Sequence, residues 1–173
     1  MSASTGGSGT QGLHAATTVE AAELRIVLGH FATGVVIVTG TGSGGPAGLT
    51  CQSFFSLSLD PPLVAVAPAR TSSSWPAIHE SGAFCINVLA AGQEALARGF
   101  ARSGGDKFTN IDWGPTGTGS PRLDGVLAWI DCRLMEAHDG GDHHLIVGRI
   151  LEMGTSADGP LLFYRGAFGT FQA

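Results

Sequence analysis

The residues best suited to chemistry lie between Gly48 and Trp75. Thr50-Cys-Gln-Ser53 and Ser56 are small polar residues that could line a ligand site along one strand. Arg70 and the hydroxyl run Thr71-Ser-Ser-Ser74 then offer one fixed charge and several donors close together. That combination suits a phosphate. A β-hairpin followed by a helix N-cap loop fits the same segment, and spacing alone leaves both interpretations open.

A second cluster of reactive side chains is His138-Asp-Gly-Gly-Asp-His-His144. Imidazole and carboxylate are natural metal ligands, but such residues can equally lie solvated at a hairpin tip. His143 and His144 are adjacent, so on a strand they face opposite sides and do not easily share one ion. We therefore predict no metal centre here.

The three cysteines, Cys51, Cys85 and Cys132, are widely spaced in apolar surroundings without zinc-type spacing. Cys51 beside His143 would make a thiol nucleophile and its base, but no neighbouring cation or helix N-terminus favours a thiolate. An odd number of scattered cysteines is typical of reduced thiols in a cytoplasmic protein.

Composition and net charge indicate which kinds of partner this chain could bind. Charged residues make up 13% of the 173 residues, against about 25% in typical domains, so we expect some surface to be buried in a partner, most simply a homodimer. The net charge of −5, with no basic cluster, gives little support to nucleic-acid binding. No apolar run approaches the ~20 residues of a membrane span.

The elements that must position these residues are mostly strands. Residues 1–16 are rich in Ser, Gly and Thr and predict a disordered tail, leaving 17–173 as one domain. Thr17 to Glu20 fits a capping box for an amphipathic helix carrying Leu24, Val27, Leu28 and Phe31. Strands are predicted at 35–39, 54–59, 63–67, 83–89, 125–137, 145–151, 161–164 and 167–171, short helices at 75–79 and 93–100, and a structureless loop at 101–119. This pattern indicates a mainly β, antiparallel small barrel with a few short helices.

In combination, several motifs resemble a known family. They are Phe31-Ala-Thr-Gly-Val35, Thr50-Cys-Gln-Ser53, Ser56-Leu-Ser-Leu-Asp-Pro-Pro-Leu63, Phe84-Cys-Ile-Asn-Val88, Asp106-Lys-Phe108, Gly141-Asp-His143 with Gly148-Arg149, and Pro160-Leu-Leu-Phe-Tyr164. In this order they resemble the flavin reductase components of two-component flavin-dependent monooxygenases, which have an FMN-binding split-barrel fold. Cys51-Gln-Ser-Phe54 and the 138–143 segment look most like actinobacterial reductases that serve aromatic or steroid-ring hydroxylases.

The resemblance implies a homodimer that binds FMN or FAD near the subunit interface, reduces it with NADH or NADPH, and releases it to a separate oxygenase. Two alternatives stay open: a pyridoxamine-phosphate oxidase-like flavoenzyme, and a non-catalytic flavin-binding module. The sequence does not choose between FMN and FAD or between NADH and NADPH.

The resemblance also implies roles for individual residues. Thr50, Cys51, Gln52 and Ser53 would contact the flavin ring and ribityl chain, and Ser56 and Leu57 would continue that wall. The phosphate-side loop would comprise Arg70, Ser72, Ser73 and Ser74. Phe100 and Ala101 would belong to a loop that closes over the flavin, and His143 would lie beside the nicotinamide as the catalytic residue.

Overall fold

The structure, a computed structural model, describes residues 19–156 and 158–171. Its helices are α1 (Ala21–Leu28), α2 (Trp75–Glu80) and α3 (Glu94–Ala101). Its strands are β1 (Thr33–Gly34), β2 (Val36–Gly42), β3 (Gly45–Cys51), β4 (Phe54–Leu59), β5 (Pro62–Val66), β6 (Ala83–Val88), β7 (Trp113–Pro115), β8 (Pro121–Leu123), β9 (Ala128–Gly140), β10 (His143–Thr155), β11 (Leu161–Tyr164) and β12 (Ala167–Thr170).

Seven strands form the main antiparallel sheet, in the order β3-β2-β6-β9-β10-β5-β4, and β1-β11-β12 and β7-β8 form two smaller sheets. The β9–β10 hairpin is the longest pairing and runs from Ala128 opposite Thr155 to Gly140 opposite His143. Its register shifts twice, at Val147/Gly148 and at Ile150/Glu152. Such irregularities bend a hairpin and increase its twist. The predicted mainly β, antiparallel architecture with few helices is confirmed.

Two cores lie on opposite faces of β2, which explains its run of β-branched residues. Val36 and Val38 pack in one cluster with Trp75 of α2. Val35 and Ile37 point the other way into a second cluster. The two-residue period of a strand thus buries both faces of this segment.

The predicted ligand strand is divided into two. β3 ends at Cys51 and β4 begins at Phe54, so Thr50 and Ser56 do not share a strand as the sequence predicted. The break leaves Gln52 and Ser53 exposed between the strands. Beyond it the chain turns at Asp60 and Pro61 into β5.

The segment predicted as a structureless loop contains β7 and leads into β8. Buried Asn87 holds this hairpin against the sheet, because its Oδ1 accepts a hydrogen bond from the Leu123 amide at 2.8 Å. Its Nδ2 donates to the Pro121 carbonyl at 3.3 Å and to the Thr39 hydroxyl at 3.0 Å. The prediction of a loop was wrong here because a buried side chain, rather than strand propensity, stabilises these three-residue strands.

Only part of the N-terminal segment for which predictions were made lies within the described residues. The tail at 1–16 and Thr17 of the capping box lie outside the described residues. α1 begins at Ala21 with Glu20 in the N-cap position and no side-chain cap, and Phe31 lies beyond its end. No helix in the described ranges is long and apolar enough to cross a membrane.

Candidate functional site

A cavity of about 540 Å³ brings distant parts of the chain together. It is bordered by the end of β3, the 67–69 segment, α3, the first residue of β10 and two phenylalanines, with the lining residues Leu49, Thr50, Cys51, Gln52, Ser53, Ala67, Pro68, Ala69, Ala97, Arg98, Ala101, His143, Phe163 and Phe168. Its volume is in the usual range for small-molecule sites. The sequence-predicted ring wall and His143 therefore face the same space.

A smaller cavity of about 170 Å³ adjoins the first. It is lined by Leu49, Thr50, Ala69, Thr71, Ser72, Ser73, Phe100, Ala101, Arg102, Ser103 and Lys107. Four of these residues, Leu49, Thr50, Ala69 and Ala101, also line the larger cavity. The two form one elongated groove with a ring-sized chamber at one end and hydroxyls and cations at the other.

Internal hydrogen bonds hold the ring wall in place. The Thr50 hydroxyl donates to the Ala97 carbonyl of α3 at 2.6 Å. Ser53 Oγ donates to the Ala67 carbonyl at 2.9 Å and lies 3.0 Å from Cys51 Sγ. These bonds tie the wall to α3 and to Ala67, and they hold Thr50 and Ser53 in fixed positions.

His143 is oriented by the residue before it. Its Nδ1 lies 2.7 Å from Asp142 Oδ1, and since a carboxylate accepts, Nδ1 is the donor. The other ring nitrogen, Nε2, is then left for a ligand. The hydrogen bond from His143 lowers the pKa of Asp142 below its ordinary value. Cys51 Sγ contacts Ser53 and the Ala67 carbonyl, so the thiol–imidazole pair considered from the sequence is not formed.

Arg70 lies at the hairpin tip rather than in the groove. Its Nη2 lies 2.7 Å from Asp139 Oδ1, and its Nε donates to the Gly141 carbonyl at 2.7 Å. It lines neither cavity. Its predicted phosphate role therefore receives no support from the geometry.

Lys107, the one lysine of the sequence, is the cation that the residue analysis overlooked. It lines the smaller cavity, and its Nζ donates to the Gly48 carbonyl at 3.0 Å, the Phe100 carbonyl at 3.0 Å and Ser74 Oγ at 3.1 Å. Burial lowers its pKa. Its position in the Asp106-Lys-Phe108 motif was the available signal.

The remaining predicted site residues fall into three groups. Ser72 and Ser73 line the smaller cavity, whereas Ser74 is buried behind it and bonded to Lys107. Phe100 and Ala101 end helix α3. This agrees with the helix predicted at 93–100 and corrects the loop that the resemblance implied for both residues. The Phe100 ring is buried against Phe108. Ser56 and Leu57 lie on β4 and line neither cavity.

In the described part of the chain, no three or more His, Cys, Asp or Glu side chains are grouped so that they could hold a metal ion. The groove instead offers hydroxyls, backbone groups and a half-buried ammonium. This donor set and its elongated shape fit a flavin nucleotide, with an apolar-walled chamber for a ring and polar groups for a phosphate.

Fold and groove together define a small antiparallel barrel with an elongated nucleotide-sized site, and comparison with known proteins identifies its family. The flavin reductase-like domain matches residues 28–172. The chain therefore belongs to the flavin reductase-like family, which confirms the resemblance seen in its motifs.

Three relatives illustrate the similarity. The reductase subunit HsaB of a flavin-dependent monooxygenase from Rhodococcus jostii is 48% identical over 158 residues, covering 91% of this chain and 81% of the relative. The FMN reductase (NADH) SmoA of Agrobacterium fabrum is 47% identical over 147 residues, covering 85% and 84%. The solved structure of the NADH:FAD oxidoreductase SgcE6 of Streptomyces globisporus, in complex with NAD and FAD fragments, is 36% identical with a TM-score of 0.83, covering 87% of this chain and 92% of that one.

Proposed function

We propose that this protein is an NAD(P)H:flavin oxidoreductase that reduces FMN or FAD and supplies the reduced flavin to a separate monooxygenase. The observation that carries the proposal is the meeting of the Thr50–Ser53 wall and His143 in one chamber. Relatives named as a monooxygenase reductase subunit, an FMN reductase using NADH and an NADH:FAD oxidoreductase support it.

The proposal assigns a role to each end of the groove. Residues 50–53 form the wall for the flavin ring and ribityl chain, and Ser72 and Ser73 supply hydroxyls on the phosphate side. Lys107 adds positive charge there and, through Ser74, holds the hydroxyl loop. Arg70 is left out of the phosphate set because its guanidinium is engaged by Asp139 and Gly141.

The hydride chemistry belongs to the two bound cofactors, which exchange it without a protein nucleophile. The chain must hold them in reactive proximity and alignment. The fixed ring wall supplies one surface of that alignment. His143, with its Nδ1 held by Asp142, presents Nε2 as a hydrogen-bond acceptor that orients the nicotinamide. Nε2 could supply a proton only from the doubly protonated ring.

A homodimer is part of the same proposal. Many large apolar side chains are exposed in the single chain, including Leu28 at 65%, Phe31 at 78% and Met153 at 69%. Exposed apolar surface on this scale typically marks an interface. Phe31 also lines an apolar cavity of about 620 Å³ that shares Gln52 and Ser53 with the ring chamber, which would put the interface beside the flavin.

The three free, buried cysteines support a cytoplasmic location.

Oxidation of NADH and NADPH, followed by the absorbance of the reduced nicotinamide with FMN, FAD or riboflavin present, tests the proposal. We expect turnover with at least one pair. Flavin that binds but stays oxidised under NAD(P)H would indicate a non-catalytic module, and flavin reduced only by an amine would indicate an oxidase. Absence of turnover with every pair would refute the reductase function.

His143→Ala tests the assignment of the nicotinamide side. Because His143 touches the chamber and not the phosphate end, we expect kcat/KM for the nicotinamide to fall at least about tenfold while KM for flavin changes less than about twofold. The matched control is His138→Ala on the same hairpin, since His138 pairs with Glu136 and lines neither cavity. Equal loss of flavin and nicotinamide binding in His143→Ala would mean that the residue is structural.

A further inference from the structure

The segment Pro68–Arg70 is paired with the tip of the β9–β10 hairpin. The Arg70 amide donates to the Asp142 carbonyl at 2.9 Å, and the His144 amide donates to the Pro68 carbonyl at 2.9 Å. Between these bonds, Ala69 and His143 form an isolated antiparallel bridge. Arg70 therefore follows directly after the residue that pairs with His143.

The Arg70 side chain reinforces this pairing through the turn itself. Its Nε donates to the Gly141 carbonyl at 2.7 Å and its Nη2 contacts Asp139 Oδ1 at 2.7 Å. The Gly141 amide donates to that same carboxylate at 2.9 Å. Gly141 has φ +81°, a conformation that favours glycine, so the guanidinium bonds the residue that has the left-handed conformation in this turn.

This arrangement uses features that only arginine has. A guanidinium presents several N–H donors in a rigid plane and can bond a carbonyl and a carboxylate together, whereas a lysine ammonium is a point charge on a flexible stem. The contacts join Arg70 to Gly141, whose next neighbour in the chain is Asp142. Asp142 in turn holds Nδ1 of His143.

We propose that Arg70 is a positioning residue for the nicotinamide side of the site: it fixes the Gly141-Asp142-His143 turn and through it the direction of the His143 ring. The inference rests on the proposed function for its kinetic consequence, although the placement of the ring stands on the contacts alone. It replaces the phosphate role that residue pattern suggested for Arg70.

The first test is a kinetic comparison of Arg70→Ala, Arg70→Lys and the control Arg133→Ala, with nicotinamide and flavin varied separately. Arg133 is an exposed arginine of the same hairpin, away from its tip. We expect Arg70→Ala to lower kcat/KM for the nicotinamide about tenfold and Arg70→Lys to recover little of it, because small misplacements of a reacting group cost rate steeply. KM for FMN and the preference for FMN over riboflavin should stay as in the wild type, and Arg133→Ala should behave as wild type.

A double variant separates positioning from an independent effect. If Arg70 acts through His143, adding Arg70→Ala to His143→Ala should lower the nicotinamide kcat/KM by less than about twofold further. A fully multiplicative loss would overturn the proposal. So would a rise in KM for FMN without a matching rise for riboflavin, which would return Arg70 to the phosphate.

The second test needs no turnover. NMR of the His143 ring nitrogens in the flavin-free protein reports which nitrogen carries the proton. We expect the wild type and Arg133→Ala to show the proton on Nδ1, and Arg70→Ala to lose that preference while unfolding at the same temperature as Arg133→Ala. An unchanged ring signature in Arg70→Ala would overturn the positioning role. If the wild type oxidised no nicotinamide, the proposed function would fail, and this measurement would still decide whether Arg70 places the ring.

Discussion

Two carboxylates at the hairpin tip have pKa values below their ordinary 3.8. For Asp142 the chief cause is the hydrogen bond from His143, and for Asp139 it is the Gly141 amide, followed by Arg70. A group whose pKa is lower in the folded than in the unfolded chain stabilises the fold above the unfolded value. That stabilisation is lost as the pH falls through the folded value.

We therefore expect the hairpin tip to loosen only at pH below 3.8. The measurement is the pH dependence of the Gly141 amide resonance, which reports the bond to Asp139. Asp139→Asn should remove most of this dependence because its side chain does not titrate. A midpoint at or above 3.8 would show that the tip carboxylates gain nothing from their partners.

The buried cysteines lead to a second prediction at the residue scale. Burial is the main cause that raises the pKa of Cys85 to about 12, and burial also raises the pKa of Cys132. Because the thiolate is the reactive form, neither should react with a thiol reagent at pH about 8 while the chain is folded. In denaturant, both should react at the rate of free cysteine. Rapid labelling of either thiol in the folded protein would contradict their burial.

At the scale of elements, the last turn of α3 packs closely against β3. A Cβ added at Gly48 would lie 2.5 Å from Cε1 of Phe100, a ring that is 1% exposed. Gly48→Ala should therefore destabilise the fold by about 1–3 kcal/mol, the usual cost of overpacking a core. It should also weaken flavin binding, since Phe100 and Ala101 border the groove.

Thermal or denaturant unfolding, together with flavin titration, measures both effects. The control is Gly44→Ala in the β2–β3 turn, where an added Cβ meets nothing within 4 Å. Equal stability of the two variants would mean that the Phe100 ring can move aside and that its packing against Gly48 adds little to stability.

Lys107 connects three elements of the groove and provides a further element-scale prediction. Lys107→Met keeps the length of the stem but leaves Gly48, Phe100 and Ser74 without their shared donor. Bonds to a charged donor stabilise by about 1.5–3 kcal/mol, and partial exposure reduces this, so we expect a loss of about 1–2 kcal/mol. Arg102→Met, in the same cavity but exposed, should change the free energy of unfolding little. A Lys107→Met protein as stable as the wild type would show that these bonds are replaced by water.

Features of the fold that depend on residues close together in the chain could be predicted from the sequence, whereas features that depend on distant residues could not. The β-branched run at 35–39 depends on neighbours in the chain, and the strand predicted there is present as β2 (Val36–Gly42). β7 and β8 depend on Asn87, which bonds Leu123 from 36 positions away. Arg70 bonds Gly141 across a separation of 71 residues. The local sequence pattern does not reveal such a pairing, so it grouped Arg70 with the neighbouring hydroxyls as a phosphate site.

For the whole molecule, the exposed apolar residues of α1, β4 and β10 are the main feature that one chain leaves without a partner. Leu28 and Met153, on different elements, are 65% and 69% exposed. If both belong to a homodimer interface, Leu28→Lys or Met153→Lys places a charge where burial costs several kcal/mol. Sedimentation should then show the 17.6 kDa chain where the wild type shows twice that mass. Turnover should fall when the dimer dissociates, because the apolar cavity lined by Phe31 shares Gln52 and Ser53 with the ring chamber.

Ser43→Lys, at the exposed β2–β3 turn, is the control and should leave mass and turnover unchanged. A wild-type chain that sediments as a monomer, or monomeric variants with full activity, would contradict an interface beside the site.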